Sequence, residues 1–523
     1  MNKHFKLFLL TIFVLVSIWQ TTFAATTQAP EVKIRVAQYA DGLNFILPDG
    51  GRWLTGKRSG PVPAGVKCTI TGKMSKPAVK KFHIMVGSAP FGDKKKLEQI
   101  HEKFFTKGYS TFEFMVGKEP ESGFPDNRKV FVGIKTWYVL EDAEKNLERL
   151  SEQNISAWIF TETIQPAKGS ITLKVAGKIV PLNFNEIKLE GKSGVKLLKA
   201  EYAKGYNWHG FADRTYKSTI QVRWGSDNCL DCIEHTDLES LLVGIVPSEI
   251  SAKAPAAALQ AQAIAARGEM LSKLGTRHYN TGYDFCSEQH CQVYKGKQSC
   301  DDHIFNSIKN TWGQILLDRN NKALDAVYSA NCGGHTSANQ NIWTSNPNPH
   351  LQGVFDTVKK KRLNLKDEKQ VKEFILNPPE CWCGFKGIEG SSKFRWIKKI
   401  TPAGWKKLEE KIELGKITTI DSFERDVSGR IIRLRIAGEQ GSKTIMKELK
   451  IRRLFNNLKS SCFIVDLNKD SEGFVESAAF RGAGWGHGVG MCQTGAQSMA
   501  TKGKTFKQIL LHYFPGAKIR KLY

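Results

Sequence analysis

Leu238-Glu239-Ser240-Leu241-Leu242-Val243-Gly244-Ile245-Val246-Pro247-Ser248-Glu249 is the most strongly patterned stretch of this 523-residue chain. Leu238, Leu241, Leu242 and Ile245 fall at positions 0, 3, 4 and 7, the spacing of an amphipathic helix, and Pro247 is expected to end it. A second helix is expected from Pro255, whose fixed φ suits a first helical position, through Ala256-Ala257-Ala258-Leu259-Gln260-Ala261-Gln262-Ala263-Ile264-Ala265-Ala266-Arg267. So many alanines allow neighbours to approach closely, which predicts a buried helix. Glu249 lies on the short connection between the two. A carboxyl held there is partly desolvated, so its pKa rises and it is prepared to donate a proton near neutral pH. The plainer alternative is a surface residue at a helix end. Gln260 and Arg267, seven residues apart, share a face of the second helix and are expected to point into one cleft.

Three further stretches lie downstream. In Gly482-Ala483-Gly484-Trp485-Gly486-His487-Gly488-Val489-Gly490-Met491-Cys492-Gln493 five glycines alternate strictly. An extended segment of this kind leaves one face as bare backbone, open to a ligand or another strand, and sets Trp485 beside His487 on the other. An aromatic plane next to an imidazole suits sugar stacking; a tightly packed buried strand is the competing reading. No phosphate-binding glycine loop is present in it. Tyr328-Ser329-Ala330-Asn331-Cys332-Gly333-Gly334-His335-Thr336 reads as a strand ending in a Gly-Gly turn, and Cys332 with a distant His would be the pairing of a cysteine peptidase, though no local peptidase signature accompanies it. His278, Cys286, His290 and Cys291 offer two imidazoles and two thiolates within 14 residues, enough for a tetrahedral zinc site that would pin the loop; a Cys286–Cys291 disulfide competes.

Composition narrows the partners. There are 77 Lys+Arg against 51 Asp+Glu, a net charge of +26, which points to an anionic polymer or surface. Residues 1–24 have a short basic start, an apolar run from Leu7 to Trp19 and the small-residue end Thr22-Phe23-Ala24. This is the pattern of a cleaved secretory leader, with an uncleaved anchor as the alternative. No later segment is long and apolar enough to span a bilayer. An exported basic chain rarely meets nucleic acid, so a periplasmic or extracellular polymer is the expected partner. Cleavage would remove Lys3 and Lys6 and leave +24. Eleven cysteines, an odd number, leave at least one free, metal-bound or intermolecular.

Residues 25–75 read as short strands joined by turns, expected to belong with residues 163–523. Between them, residues 78–162 carry a duplication. Phe82–Gly87 is a strand, Leu97, Ile100 and Phe104 mark a helix, and Thr111–Val116 is a strand; Lys129–Gly133, a helix at Ala143, Leu147 and Leu150, and Ile155–Phe160 repeat the order. A βαβ-βαβ order of this size implies a four-stranded sheet with two helices on one face. This segment resembles a SPOR domain, which implies binding of peptidoglycan strands stripped of their peptides; a purely structural ferredoxin-like module is the alternative. From 355 to 470 the chain is charged, densest at Lys359-Lys360-Lys361-Arg362, a run best read as a solvated face.

The stretches Leu241–Glu249, Ala258–Arg267, Cys332–Thr336 and Gly484–Gln493, with the tail Ile509-Leu510-Leu511-His512-Tyr513-Phe514-Pro515-Gly516, together resemble the SpoIID/LytB family across most of residues 165–520. The resemblance implies an α+β protein: a mixed catalytic domain with a small ferredoxin-like SPOR module. It also implies a lytic transglycosylase that cleaves the bond between N-acetylmuramic acid and N-acetylglucosamine in denuded glycan. Glu249 would be general acid and then base, and Gln260, Arg267, Trp485, His487 and Gln493 would bind substrate. Members with two His and two Cys after the alanine-rich helix hold zinc, which places a structural ion at His278, Cys286, His290 and Cys291. The functional partner implied is an N-acetylmuramoyl-L-alanine amidase, and the setting is wall remodelling in division or sporulation, in the periplasm or wall and, through the SPOR likeness, at the septum. Cys492, where the family often has Ser, the extra Cys229/Cys232 pair and the inserted module depart from the pattern. A second branch, the amidase enhancers, makes a non-catalytic glycan-binding activator the alternative.

Overall fold

Val32, Ile34 and Val36 alternate with charged or half-buried residues, and the strand Glu31–Tyr39 buries all three. The computed structural model describes residues 28–523 except 122, 181–183, 206–208, 297–300, 344–345 and 360–362. The expected leader, Cys300 and the end of the basic run at 360–362 lie outside the described residues.

The chain is mixed α+β. Glu31–Tyr39 enters a seven-stranded sheet between Phe285–Cys286 and Leu230–Asp237, followed outward by Thr219–Trp224, Glu186–Gly191, Gly51–Thr55 and Arg58–Val62. A six-stranded sheet runs Lys178–Ile179, Lys168–Val175, Lys67–Lys76, Gly42–Ile46, Val195–Tyr202, Gly210–Tyr216. Strands from before and after the duplicated segment therefore interleave in both sheets. Their apolar faces share one core with Ile34, Phe45, Ile70, Leu197 and Ile220.

Leu230–Asp237 passes directly into the helix Leu238–Glu249. Asp237 caps it by accepting the Ser240 amide at 2.9 Å. Pro247 does not end this helix; it sits in the last turn, which closes on Glu249 and is finished by the Ile250 amide donating to the Val246 carbonyl. A proline so close to a terminus breaks one internal hydrogen bond and leaves the rest of the helix intact. The alanine-rich helix is Ala256–Lys273, with Pro255 as its cap residue. Ala258, Leu259, Ala263 and Ala266 pack into the sheet core, whereas Ala261, Ile264 and Ala265 pack into a second core with Leu316, Val489, Met491, Ala496 and Phe514. Small side chains on both sides let one helix serve two cores.

Residues 79–165 form their own antiparallel sheet in the order Phe112–Val116, Lys129–Trp137, Val79–Pro90, Trp158–Gln165. The helices Lys94–Phe105 and Leu140–Glu152 accompany it, and Ile84, Ala143 and Leu150 are its buried centre. Phe112, Phe114, Phe131, Trp158 and Phe160 gather around His83 in a connected set of half-buried rings, with Phe131 5.6 Å from Trp158 and 5.4 Å from Phe160. The loop between the two halves clasps the larger body. Asn127 donates to the carbonyls of Leu271 and Leu274, and Phe124 packs on Tyr523. A third core, containing Trp405, Leu434, Phe463 and Phe480, lies under two three-stranded sheets built from residues 395–483.

Candidate functional site

Glu249, the last helical residue, is half-buried, and its Oε1 accepts the Val293 amide at 3.0 Å. Burial raises its carboxyl to about 7; Glu269 adds to the rise, against the opposing pull of the Val293 amide, Gln493 and Lys295. Proximity of Val293 depends on Gly244, where an added Cβ would lie 2.4 Å from the Tyr294 ring. Tyr294 is held there by donating to Glu234 at 2.7 Å.

Gln493 begins the helix Gln493–Thr501 and bonds Glu249, while its Nε2 donates to Gln262 Oε1 at 3.3 Å. Tyr328 donates its hydroxyl to Gln292, and Gln292 donates to Glu269 at 2.8 Å. Glu269 pairs with Lys273 at 2.7 Å, and Lys273 with Asp325 at 2.9 Å. Glu249 therefore stands beside a polar cluster in which Lys273 pairs with both Glu269 and Asp325.

The remaining expected residues divide. His487 is near this group: burial, then Arg430 and Arg452, lower its pKa to about 3, and it bonds the Tyr328 backbone. The ring is neutral, with Nδ1 accepting the Val489 amide at 3.0 Å and Trp343 4.9 Å away. Trp485 is exposed under Lys393 and Lys459, at 4.6 and 5.5 Å from its ring centre. Gly484, Gly486, Gly488 and Gly490 all have positive φ, so this segment turns repeatedly and is not the extended strand expected. At Gly490 a Cβ would overlap the Val327 carbonyl at 2.0 Å. Gln260 is half-buried and makes no hydrogen bond to the Glu249 group among the described residues.

Arg267 faces no cleft. It is wholly buried, with Nε and Nη2 donating to both carboxylate oxygens of Glu239 at 2.7 and 2.8 Å and Nη1 to the Gln314 carbonyl. Tyr523 donates to the same Glu239 at 2.6 Å, so the pair also fastens the chain's last residue. Gln262 and Glu269 stand where Gln260 and Arg267 were expected: the same seven-residue spacing, two positions along. Cys332 is buried, and no imidazole hydrogen-bonds its sulfur among the described residues, so the peptidase pairing does not form. His335 instead donates to the Thr336 carbonyl and packs on Phe355.

His278, Cys286, His290 and Cys291 converge, with all four donor atoms within 4.8 Å of one another. His278 Nε2 is 3.2 Å from Cys291 Sγ, and His290 Nδ1 is 3.5 Å from Cys291 Sγ and 3.8 Å from Cys286 Sγ. Zinc–sulfur and zinc–nitrogen bonds of about 2.3 and 2.0 Å give tetrahedral edges of about 3.3–3.8 Å, so the quartet fits that ion. The hydrogen bond from Cys286, helped by both imidazoles, pulls the Cys291 thiol far down and favours a thiolate. Gln292 and Val293 follow immediately, so whatever fixes this loop also fixes two groups of the Glu249 network.

Residues 226–317, which hold Glu249, the alanine-rich helix and the His/Cys quartet, match the family described as "Stage II sporulation protein" (SpoIID). Over these residues the chain is similar to the SpoIID family. Residues 337–490 match a second family, described only as a domain of unknown function. The chain is 27% identical over 300 residues to the "Amidase enhancer" of Bacillus subtilis, a match covering 53% of this chain and 40% of that protein. It is 27% identical over 301 residues to "Stage II sporulation protein D" of the same organism, covering 55% and 75%. An uncharacterized protein of Brachyspira hyodysenteriae is 24% identical over 368 residues, covering 70% and 85%. The SpoIID match ends before Tyr328 and Gln493, so two residues beside Glu249 come from outside it and were visible only as parts of glycine-rich motifs.

Proposed function

We propose that this protein is an exported peptidoglycan lytic transglycosylase acting on glycan strands stripped of peptide. The observation that carries this is Glu249: a carboxyl at a helix end, raised to about 7, held by an amide and a glutamine. Protonated, it gives its proton to the glycosidic oxygen as the C1–O4 bond breaks. The resulting carboxylate takes the proton of the muramic acid C6 hydroxyl as O6 bonds to C1, closing a 1,6-anhydro ring. No water is consumed, so one carboxyl serves both steps where ordinary glycosidases use two. The neutral His487 and Gln493 suit hydrogen bonding to sugar, and Trp485 suits stacking. The His/Cys quartet would hold zinc structurally, since four protein ligands leave no position for water.

The aromatic set on residues 79–165 supports the SPOR reading, because flat rings offer planes to sugar faces. The basic charge supports an anionic wall polymer, which stripped muramic acid supplies through its lactyl carboxylates. The leader-like residues 1–24 support export to periplasm or wall. No described helix is long and apolar enough to cross a membrane. The test is to incubate the protein and a Glu249→Gln variant with amidase-stripped strands and search for anhydromuramyl ends by mass spectrometry. Products from wild type alone support the reading; identical products from both, or none from either, refute it.

A relative named "Amidase enhancer" favours a second reading, a non-catalytic glycan-binding activator. It predicts faster stem-peptide release by an added amidase, unchanged in Glu249→Gln.

A further inference from the structure

Cys332, Asp356, Cys383 and Cys492 come from four separated parts of the chain, and their donor atoms all lie within 4.8 Å of one another. All four are buried: Cys332 is 2% exposed and the other three 0%. Cys332 follows the strand Tyr328–Ser329, Cys383 lies in the 3-10 turn Trp382–Gly384, and Cys492 immediately precedes the helix Gln493–Thr501. We propose that these residues form a second metal site, separate from the His/Cys quartet, for a soft divalent cation of the zinc class bound by three thiolates and one carboxylate.

The distances suit that ion. Cys332 Sγ is 3.7 Å from Cys383 Sγ and 3.4 Å from Asp356 Oδ2, close to the edges of a zinc tetrahedron with sulfur and oxygen corners, about 3.5–3.8 Å. The surroundings orient the ligands as metal sites do. Cys492 Sγ accepts the amides of Cys332 at 3.2 Å and Gly495 at 3.4 Å, an arrangement that favours thiolate. Asp356 is held by Tyr513, which donates to Oδ1 at 2.7 Å, and by the Cys383 amide, which donates to Oδ2 at 3.2 Å.

The donor set points the same way. The cluster's walls are apolar, with Val489, Met491 and Ala496 in the same core. Arg395 is nearby, but its guanidinium donates to the carbonyls of Gly333, Phe374, Ile375 and Phe394. His512 Nε2 lies 3.5 Å from Asp356 Oδ1. A disulfide would use two thiols and leave the third beside a buried carboxylate; a divalent ion uses all four groups, releasing the thiol protons to solvent. Its consequence reaches the active region, since Gln493 directly follows Cys492 and bonds Glu249.

The test is zinc content of the full chain purified under reducing conditions, for wild type, Cys286→Ser and Cys492→Ser. The expectation is two equivalents in wild type and one retained in Cys286→Ser, with that last equivalent lost when Cys492→Ser is added. If Cys286→Ser does not fold, zinc-edge X-ray absorption of wild type decides: the quartet alone gives two sulfurs per zinc, and both sites together raise the mean above two. No zinc in folded Cys286→Ser, two sulfurs per zinc in wild type, or a Cys332–Cys383 disulfide in a non-reduced digest overturns the proposal. These readouts are independent of whether the protein cleaves glycan.

Discussion

Glu249 ties the protein's stability to pH in a definite direction. Its carboxyl has an ordinary value of 4.5 and a folded value of about 7, so the folded state binds the proton more tightly. Below 4.5 both states are protonated and nothing is lost; as pH rises towards 7 the folded protein pays an increasing ionisation penalty. Glu249→Gln should therefore match wild type in urea unfolding near pH 4 and be more stable by about 1–3 kcal/mol at pH 8. Equal stability at both values would mean the carboxyl is not held protonated. The proposed cleavage should fall above about pH 7 as the acid form of Glu249 is depleted. Arg267 behaves oppositely. Arg267→Ala strands the buried Glu239 carboxylate and should cost about 3–5 kcal/mol by urea denaturation, with a paired apolar replacement of both residues losing less. The burial of Glu249 was legible because two apolar helices flank it, although the structure sets it in the last turn of the first helix and not on the connection. The phase of the second helix was not: packed by cores on two sides, its alanines mark no solvent face, so Gln262 and Glu269 could not be separated from Gln260 and Arg267.

At the scale of elements, the loop carrying the His/Cys quartet runs straight into Gln292 and Val293, whose amide meets Glu249, so the proposed zinc and the proposed catalytic carboxyl are linked. Chelation, or Cys291→Ser, should release the Val293 amide and Gln292, lowering kcat more than it raises KM; unchanged kcat in a metal-free sample would sever that link. Gly244→Ala tests the packing that lets the same loop approach. Alanine favours a helix intrinsically, but here its Cβ meets Tyr294 at 2.4 Å, so a loss of about 1–3 kcal/mol is expected in thermal unfolding. The duplicated strands and helices were legible from periodicity because one face of each is buried. The glycine-rich segment was not, since alternation in sequence fits an extended strand and a chain of left-handed turns equally well. Only packing against Val327 and Arg430 selects the second.

For the molecule as a whole, a charge of +26 predicts that retention on stripped glycan weakens steeply with added salt, measured by co-sedimentation. If the residue 79–165 sheet binds glycan as proposed, replacing Phe131 and Trp158 with Ala should reduce the salt-resistant part several-fold, with circular dichroism checking that the sheet still forms. The alanine-rich helix has a different consequence. Because Ala258 and Ala263 belong to one core and Ala261 and Ala265 to the next, those two bodies cannot melt apart without the helix leaving both. Calorimetry should show them losing structure in one cooperative step, with the sheet of residues 79–165, centred on Ile84 and Leu150, free to give its own transition.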